Sequence, residues 1–163
     1  MENSQIREAK AERVVKTYSN LILRLSYTYL KSTHDAEDIC QIVFLKLLKR
    51  NHSFENRDHE KAWIIRTTAN ACKDTLRSGF RRTSINLSAA ENVVAPAPPD
   101  DDVLKGVMTL PDKYREAIYL HYFEGYSIRE ISSMTGRSIA AISTHLCRAR
   151  KKLQLTLKGM DHE

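Results

Sequence analysis

The stretch Ser127-Ile-Arg-Glu-Ile-Ser-Ser-Met-Thr-Gly-Arg-Ser138 decides the fold of the second half of this chain. Ser127 and Glu130 have the spacing of a capping box, in which each side chain bonds the backbone amide of the other residue. Gly136 suits the left-handed residue that ends a helix, and Ser138 can cap the next one. Two short helices joined by a tight, glycine-containing turn predict a helix-turn-helix, whose second helix enters the major groove of DNA.

A further helix precedes this motif, and a basic helix completes it. The segment Leu110-Pro-Asp112 predicts the start of a helix that runs to Gly125, because proline suits a first helical turn. The second helix of the motif has an inner apolar face made of Ile139, Ile142, Leu146 and Ala149. Its outward face is then made of Arg137, Ala140, Ala141, Ser143, Thr144, His145 and Arg148.

The outward face of this helix has the chemistry of a surface that reads DNA. Thr144 can touch a thymine methyl group, and Arg148 can reach a base edge or a phosphate. Residues 137–158 contain six basic residues and no acidic one. The alternative is an ordinary pair of antiparallel helices, which would require neither the paired caps nor an acid-free basic helix. We therefore interpret residues 110–158 as a DNA-binding module.

A proline-rich, acidic stretch divides the chain. Three of the four prolines lie within residues 96–99, and three aspartates follow at 100–102. Such a stretch is stiffened by proline and short of periodic apolar residues, which is typical of an interdomain linker. We predict an all-α protein of two small helical domains, 5–84 and 105–158, joined by a flexible acidic linker at 85–104.

One helix of the first domain carries more apolar surface than a single core needs. Acidic residues follow Thr33 in the first turn of this helix, where the helix dipole favours them. One apolar face consists of Ala36, Ile39, Cys40, Val43, Phe44 and Leu47, while Ile42, Leu45 and Leu48 lie off that face. The surplus surface indicates either a second partner or a helix that is buried on two sides.

The segment 61–84 is one-sidedly basic. Asp74 is its only acid, against Lys61, Arg66, Lys73, Arg77, Arg81 and Arg82. Trp63 and Phe80 add aromatic surface, and Asn70, Thr67 and Thr68 add hydrogen-bonding groups. Basic groups interleaved with aromatic rings suit single-stranded nucleic acid, although an ordinary solvated basic face is the alternative. A core-facing side is expected from Trp63, Ile64, Thr67, Ala71, Thr75 and Leu76.

Composition narrows the class of protein. The net charge of +6 and the pI of about 9.3 fit either a polyanion-binding protein or a basic solvated surface. Three cysteines, Cys40, Cys72 and Cys147, lack CxxC spacing, which argues against a zinc site and fits buried thiols in a cytoplasmic protein. We expect no membrane insertion, no cofactor, no metal and no enzymatic activity, since His34, Asp35 and His59 match no catalytic spacing.

The chain resembles the extracytoplasmic-function (ECF) group of bacterial RNA polymerase sigma factors. The resemblance covers about residues 5–158, and its motifs occur in the order and spacing of that family. They are Asp35-Ala-Glu-Asp-Ile-Cys-Gln-Ile-Val-Phe44, the segment from Ala62 to Arg77, Leu110-Pro-Asp-Lys-Tyr-Arg-Glu116, and Tyr126-Ser-Ile-Arg-Glu-Ile131 with Arg148-Ala-Arg-Lys-Lys-Leu153.

The resemblance implies two sets of contacts for the first domain. One helix would dock on the clamp helices of the largest polymerase subunit, through Asp38, Gln41, Ile42, Leu45 and Leu48. The following loop and helix would engage the minus-ten promoter element and capture an unpaired base. Phe54 and Asn70 match the pocket positions, and the remaining contacts would come from Trp63, Arg66, Lys73, Arg77, Arg81 and Arg82.

The second domain would read the minus-thirty-five element and lie on the flap of the second polymerase subunit. Its expected DNA contacts are Arg115, Arg137, Ala140, Ser143, Thr144, His145 and Arg148. Relatives often have basic residues where this chain has Ser143 and His145, so the base preference does not follow from the resemblance. An anti-sigma factor is a further partner that the resemblance allows. A helix-turn-helix repressor that binds only duplex DNA is the competing interpretation.

Overall fold

The structure, a computed structural model, describes residues 2–50, 53–86 and 102–161, with side chains described over 4–50, 53–78 and 105–155. The described residues form helices and turns that fall into two units, Met1–Val93 and Val94–Glu163. Helix α3 of the first unit runs to Asn86, and the first helix of the second unit starts at Asp102. The predicted linker at 85–104 therefore overlaps both helices at its ends, and its proline-rich part lies outside the described residues.

The first unit consists of α1 (Glu2–Leu30), α2 (Thr33–Lys49) and α3 (Arg57–Asn86). The Ser32 side chain caps α2 by accepting a hydrogen bond from the Asp35 amide, as expected where a helix opens with acids in its first turn. The three helices pack pairwise around one core. Apolar residues at helical spacing supply it from α1 and α2, namely Val14, Ile22, Leu25, Tyr29, Ala36, Ile39, Val43 and Leu47.

The buried face of α3 is wider than its pattern predicted. Ile65, Thr68, Ala69 and Cys72 are buried together with the expected Ile64 and Ala71, whereas Leu76 is exposed. Because α3 packs against both α1 and α2, residues from two adjoining faces of the helix become buried. Thr68 was expected to offer its hydroxyl to nucleic acid, and this was wrong: its hydroxyl donates to the Ile64 carbonyl, 2.7 Å away, inside the core.

A buried carboxylate joins α1 to α3. Glu60 is only 5% exposed and accepts two hydrogen bonds from the Arg13 guanidinium, at 3.0 and 2.8 Å. The Tyr18 hydroxyl donates to the same carboxylate at 2.7 Å. The hydrogen bonds from Arg13 lower the pKa of Glu60, and burial together with the bond to Glu60 raises the pKa of Tyr18 to about 12. The charged carboxylate and the neutral phenol are therefore the states that this cluster stabilises.

Replacing Glu60 tests the contribution of this cluster to the stability of the first unit. Glu60→Ala leaves the buried Tyr18 hydroxyl without its acceptor and should lower the free energy of unfolding by about 3 kcal/mol. Asp74→Ala, which removes an exposed partner 4.0 Å from Arg77, should change it by less than about 0.5 kcal/mol. Urea unfolding followed by the fluorescence of Trp63, the single tryptophan, reports on this unit alone. Equal stability of the two variants would contradict the assignment.

The second unit contains α4 (Asp102–Met108), α5 (Asp112–Ile118), a π-helical turn (Tyr119–Phe123), α6 (Ile128–Thr135) and α7 (Ile139–Asp161). A single regular helix was expected from Pro111 to Gly125. Instead, all seven residues from Tyr114 to Leu120 are buried, so this helix is enclosed on every side, and it widens into the π-helical turn where it ends.

The turns of the second unit follow the sequence prediction closely. Ser127 and Glu130 form both bonds of the capping box, each 3.1 Å long. Gly136 has φ +76°, the left-handed conformation that ends α6 without a steric penalty. The Ser138 side chain accepts from the Ala141 amide at the start of α7. The helix-turn-helix and its predicted caps are therefore confirmed. Over the described residues, no helix combines the length and the apolar character that a membrane crossing needs.

Candidate nucleic-acid interface

Three apolar side chains on α2 face away from the core of the first unit. Ile42, Leu45 and Leu48 are 39, 56 and 49% exposed, and we call them the α2 apolar patch. Gln41 is also exposed, and Asp38 is half-buried one turn earlier. The sequence left two alternatives, a second partner or a helix that is buried on two sides. The first unit by itself leaves this patch uncovered, which favours a second partner. The patch is narrow and rimmed by polar groups, which is the pattern of a protein-binding surface.

A polar stripe follows one face of α3. Trp63, Arg66, Asn70, Lys73 and Arg77 recur every three or four residues, so their side chains lie along one side of the helix. All five are exposed or half-buried, and we call this set the α3 stripe. Arg66 and Asn70 are exposed near its centre. Arg81 and Arg82, which were also predicted to contact the minus-ten element, lie on the same helix, but their side chains are outside the described residues.

An aromatic cluster stands at the start of the α3 stripe. The Phe54 ring lies 5.7 Å from Trp63 and 5.6 Å from His59, the latter edge to face. The guanidinium of Arg50 lies 4.3 Å from the Phe54 ring centroid and 5.3 Å from that of Trp63. Arg50 ends α2, and the sequence analysis missed it because no pattern links a helix C-cap to rings several residues later. Its place over two rings is a cation–π arrangement that holds Phe54 beside the stripe.

The recognition helix α7 presents a short polar surface. Ala140, Ser143, Thr144 and Arg148 are exposed, as expected for residues that would enter a groove. A hydrogen bond from Arg148 lowers the pKa of Tyr114, a residue of α5. Cys147 is also exposed on α7, so the expectation that all three cysteines are buried was wrong.

Two residues assigned to this surface lie in the interior. His145 was expected to face outward, but it is 9% exposed and packs against the Tyr114 ring at a centroid distance of 5.5 Å. Arg115 is 5% exposed, and its guanidinium donates to the Leu110 carbonyl at 2.8 Å. The reason is the same for both: the inner face of α7 and nearly the whole circumference of α5 are covered by neighbouring helices, which periodicity on a single helix does not reveal.

Arg137 connects the turn of the helix-turn-helix to α5. Its guanidinium donates to Glu116, which is fully buried, at 3.3 Å. Its backbone carbonyl accepts from the Ser132 hydroxyl at 2.6 Å, and its amide donates to Thr135. The Ser132 side chain is thus hydrogen-bonded to the turn. Arg137 therefore positions the start of α7 relative to α5.

The buried His145 makes the stability of the second unit sensitive to pH. Burial, with Arg137 and Lys113 nearby, lowers the pKa of His145 below its ordinary value of 6.5. The unfolded chain then binds more protons than the folded one below pH 6.5, so stability should fall as the pH falls through that range. His145→Gln should flatten the fall between pH 7.5 and pH 5.5, measured by calorimetry of the full chain.

The exposed His34 on α2 offers the matched control for this measurement. His34→Gln should leave the pH dependence of the second unit as it is in the natural chain. A pH dependence that is equally steep with and without His145 would show that another group causes it.

Comparison with known proteins agrees with this arrangement. Residues 14–82 match the family model for sigma-70 region 2, and residues 101–153 match the model for sigma-70 region 4. The ECF RNA polymerase sigma factor SigM of Bacillus subtilis is 31% identical, over 93% of this chain and 98% of that protein. SigV of the same organism, an RNA polymerase sigma factor, is 25% identical over 99% of both chains.

A solved structure shows a similar fold. The sigma factor RpoE of Bartonella quintana, crystallised with the anti-sigma factor NepR, matches with a TM-score of 0.70 and 23% identity. The match covers 90% of this chain and 96% of that one.

Proposed function

Because this chain belongs to the ECF group of the sigma-70 family, it is an RNA polymerase sigma factor, and we propose that its two units divide the recognition of polymerase and promoter. The first unit docks on core polymerase and opens the minus-ten element, and the second reads the minus-thirty-five element. The observation that carries this division is the presence on one three-helix unit of both an unpartnered apolar patch and a basic-aromatic stripe. A repressor that binds only duplex DNA would use neither.

The α2 apolar patch is proposed as the surface that binds the clamp helices of the largest polymerase subunit. Its three side chains supply apolar area at the centre of the interface, and Asp38 and Gln41 supply polar contacts at its edge. We infer that Ile42 adds to the apolar part of this interface, since a partly exposed isoleucine gains free energy when it is covered.

The docking proposal is tested by one charge on the patch. Leu45→Glu should weaken binding to core polymerase by about 30-fold or more, because a central apolar contact would become a buried, unpaired carboxylate. Val15→Glu is the matched control, since Val15 is a similarly exposed apolar residue on α1 of the same unit. Competition for core polymerase against the housekeeping sigma factor measures both. Equal binding by the two variants would refute the patch as the docking surface.

The α3 stripe with Phe54 is proposed as the site that holds the opened minus-ten strand. Lys73 and Arg77 can neutralise phosphates along α3, while Phe54 and Trp63 offer rings for an unpaired base. The exposed Asn70 amide can donate to and accept from the edge of that base. Arg66, Arg81 and Arg82 extend the positive charge of the same helix. Binding of the unpaired base offsets the cost of unstacking it, which is a few kcal/mol.

Asn70 separates promoter opening from duplex binding. Asn70→Ala should lower the amount of open complex about tenfold, the loss expected for one or two hydrogen bonds. Binding of the holoenzyme to a duplex that carries the minus-thirty-five element should remain within twofold. Permanganate footprinting of unpaired thymines measures the opening, and Asn20→Ala, an exposed asparagine on α1, is the control. Full opening by Asn70→Ala would remove this residue from the pocket.

The helix-turn-helix is proposed to read the minus-thirty-five element through Ala140, Ser143, Thr144 and Arg148. Small residues allow α7 to lie deep in the major groove, and Arg148 is the long donor among them. Arg137 contributes by positioning α7 relative to α5. His145 and Arg115 are not part of the proposed surface, because both are buried.

The regulation and location of the protein are further proposals. We infer that it acts in the bacterial cytoplasm, where polymerase and promoter DNA are found, and that the flap of the second polymerase subunit carries its second unit. The group to which it belongs supports a stress-responsive regulon and control by an anti-sigma factor. We propose that the protein supplies binding energy and positioning to polymerase and performs no catalysis itself.

A further inference from the structure

A second feature of the first unit lies beside the aromatic cluster. An open cleft of about 300 Å³ separates the first half of α1 from the loop before α3. Its walls are formed by Lys10, Arg13, Ser53, Phe54, Asn56, Arg57 and Glu60. This volume lies at the lower end of the range for small-ligand sites. The cleft is distinct from the α3 stripe, and Phe54 is the residue that it shares with the aromatic cluster.

The cleft is positively charged, and an ion pair between Arg13 and Glu60 joins α1 to α3 along it. Three of its residues are cations, and its single carboxylate, Glu60, is already neutralised by two bonds from Arg13. Lys10 lies one turn before Arg13 on the same face of α1, so the bonds from Arg13 to Glu60 also hold Lys10 at the cleft. Arg57 lies on the opposite wall, at the start of α3. Lys10 and Arg57 thus line, beside this ion pair, a space large enough for a phosphate.

Phe54 connects this cleft to the proposed path of the opened strand. The Arg50 guanidinium lies over the Phe54 ring, but Arg50 is not among the residues that line the cleft. The Phe54 ring therefore contacts both Arg50 and the cleft. A cationic groove that ends on an aromatic ring is the arrangement with which proteins bind single-stranded nucleic acid.

We propose that this cleft binds one nucleotide of the unwound promoter strand, next to the base held at Phe54 and Asn70. Lys10 and Arg57 bind its phosphate, and its base lies against the side of Phe54 that faces the cleft. Asn56 and Ser53 line the space that the sugar would occupy. Helix α1 thereby becomes part of the DNA-binding surface, which rests on the proposed function but adds a separate subsite to it.

The salt dependence of single-strand binding tests this subsite. The probe is a fluorescein-labelled, random-sequence DNA strand of about 12 nucleotides, titrated with the full chain while anisotropy is measured at several salt concentrations. Each phosphate contact adds about 0.7 to the slope of log K against log salt concentration. The double variant Lys10→Ala with Arg57→Ala should therefore lower the slope by about 1.4 and weaken binding about tenfold or more at 0.1 M salt.

Lys16 provides the matched control, because it is an exposed lysine on α1 that does not line the cleft. Lys16→Ala should leave the slope within about 0.3 of that of the natural chain, well below the change of about 0.7 for one lost contact. If the double variant has the same slope as Lys16→Ala, the subsite does not exist.

A second arm separates a DNA strand from a free nucleotide. Deoxyadenosine monophosphate is titrated against the natural chain and the double variant up to millimolar concentration. Tight binding of the free nucleotide, lost in the double variant while the slope for the DNA strand stays unchanged, would overturn the assignment to DNA. Weak or absent nucleotide binding together with the reduced slope would support it.

The outcomes also distinguish this inference from the proposed function. If the natural chain with core polymerase fails to transcribe any promoter, the proposed function fails, whatever the slopes show. The proposed function stands if the natural chain transcribes and its open complex depends on Asn70. If the double variant then opens promoters and binds single strands as well as Lys16→Ala does, the cleft proposal alone is overturned.

Discussion

In each unit a buried glutamate pairs with a partly buried arginine, and the surface proposed to face nucleic acid depends on that pair. Glu60 binds Arg13 and joins α3 to α1, and Glu116 binds Arg137 and joins α5 to the turn before α7. Removing one partner would leave the other group without its hydrogen bonds in a dry environment, which is costly. The pairs therefore tie α3 to α1 and the turn before α7 to α5.

The buried pairs and the two cores leave long polar surfaces available on these small helical units. Each unit has one core, and much of α3 and α5 is used to form it. The polar side chains of the α3 stripe and the exposed residues of α7 contribute little to that core and are free to vary. Recognition can then change at positions such as Ser143 without a change in fold, because the buried pair and the caps keep the helix in place.

Polymerase binding and DNA binding use different helices of the first unit in the proposed mechanism. The α2 apolar patch needs a partner that excludes water, whereas the α3 stripe needs phosphates and an unstacked base. Helix α3 contacts α2 and α1 through the same core. The core therefore fixes the orientation of the DNA-facing stripe relative to the docking helix. A sigma factor needs this constraint, since the melted strand has to lie at a fixed place on the polymerase.

The helix caps and the periodic apolar faces are the parts of the fold that follow from the sequence. Ser127, Glu130 and Gly136 act within a few residues of chain, so local chemistry determined the helix-turn-helix and its caps. Helical spacing also placed Ile42, Leu45 and Leu48 off the main apolar face of α2, but it left open whether they are exposed. The family resemblance rested on motifs that are likewise local.

Tertiary packing decided which polar residues are buried, which the spacing of residues on one helix cannot show. His145 and Arg115 carry polar groups that are typical of an exposed surface, but neighbouring helices cover them, and only the packed unit shows this. The contact between Arg50 and Trp63, and the cleft between Lys10 and Arg57, join residues from separate helices. The sequence by itself thus determined the elements, their caps and the family, while the tertiary structure decided which polar groups remain accessible, because burial depends on what packs against a helix from elsewhere in the chain.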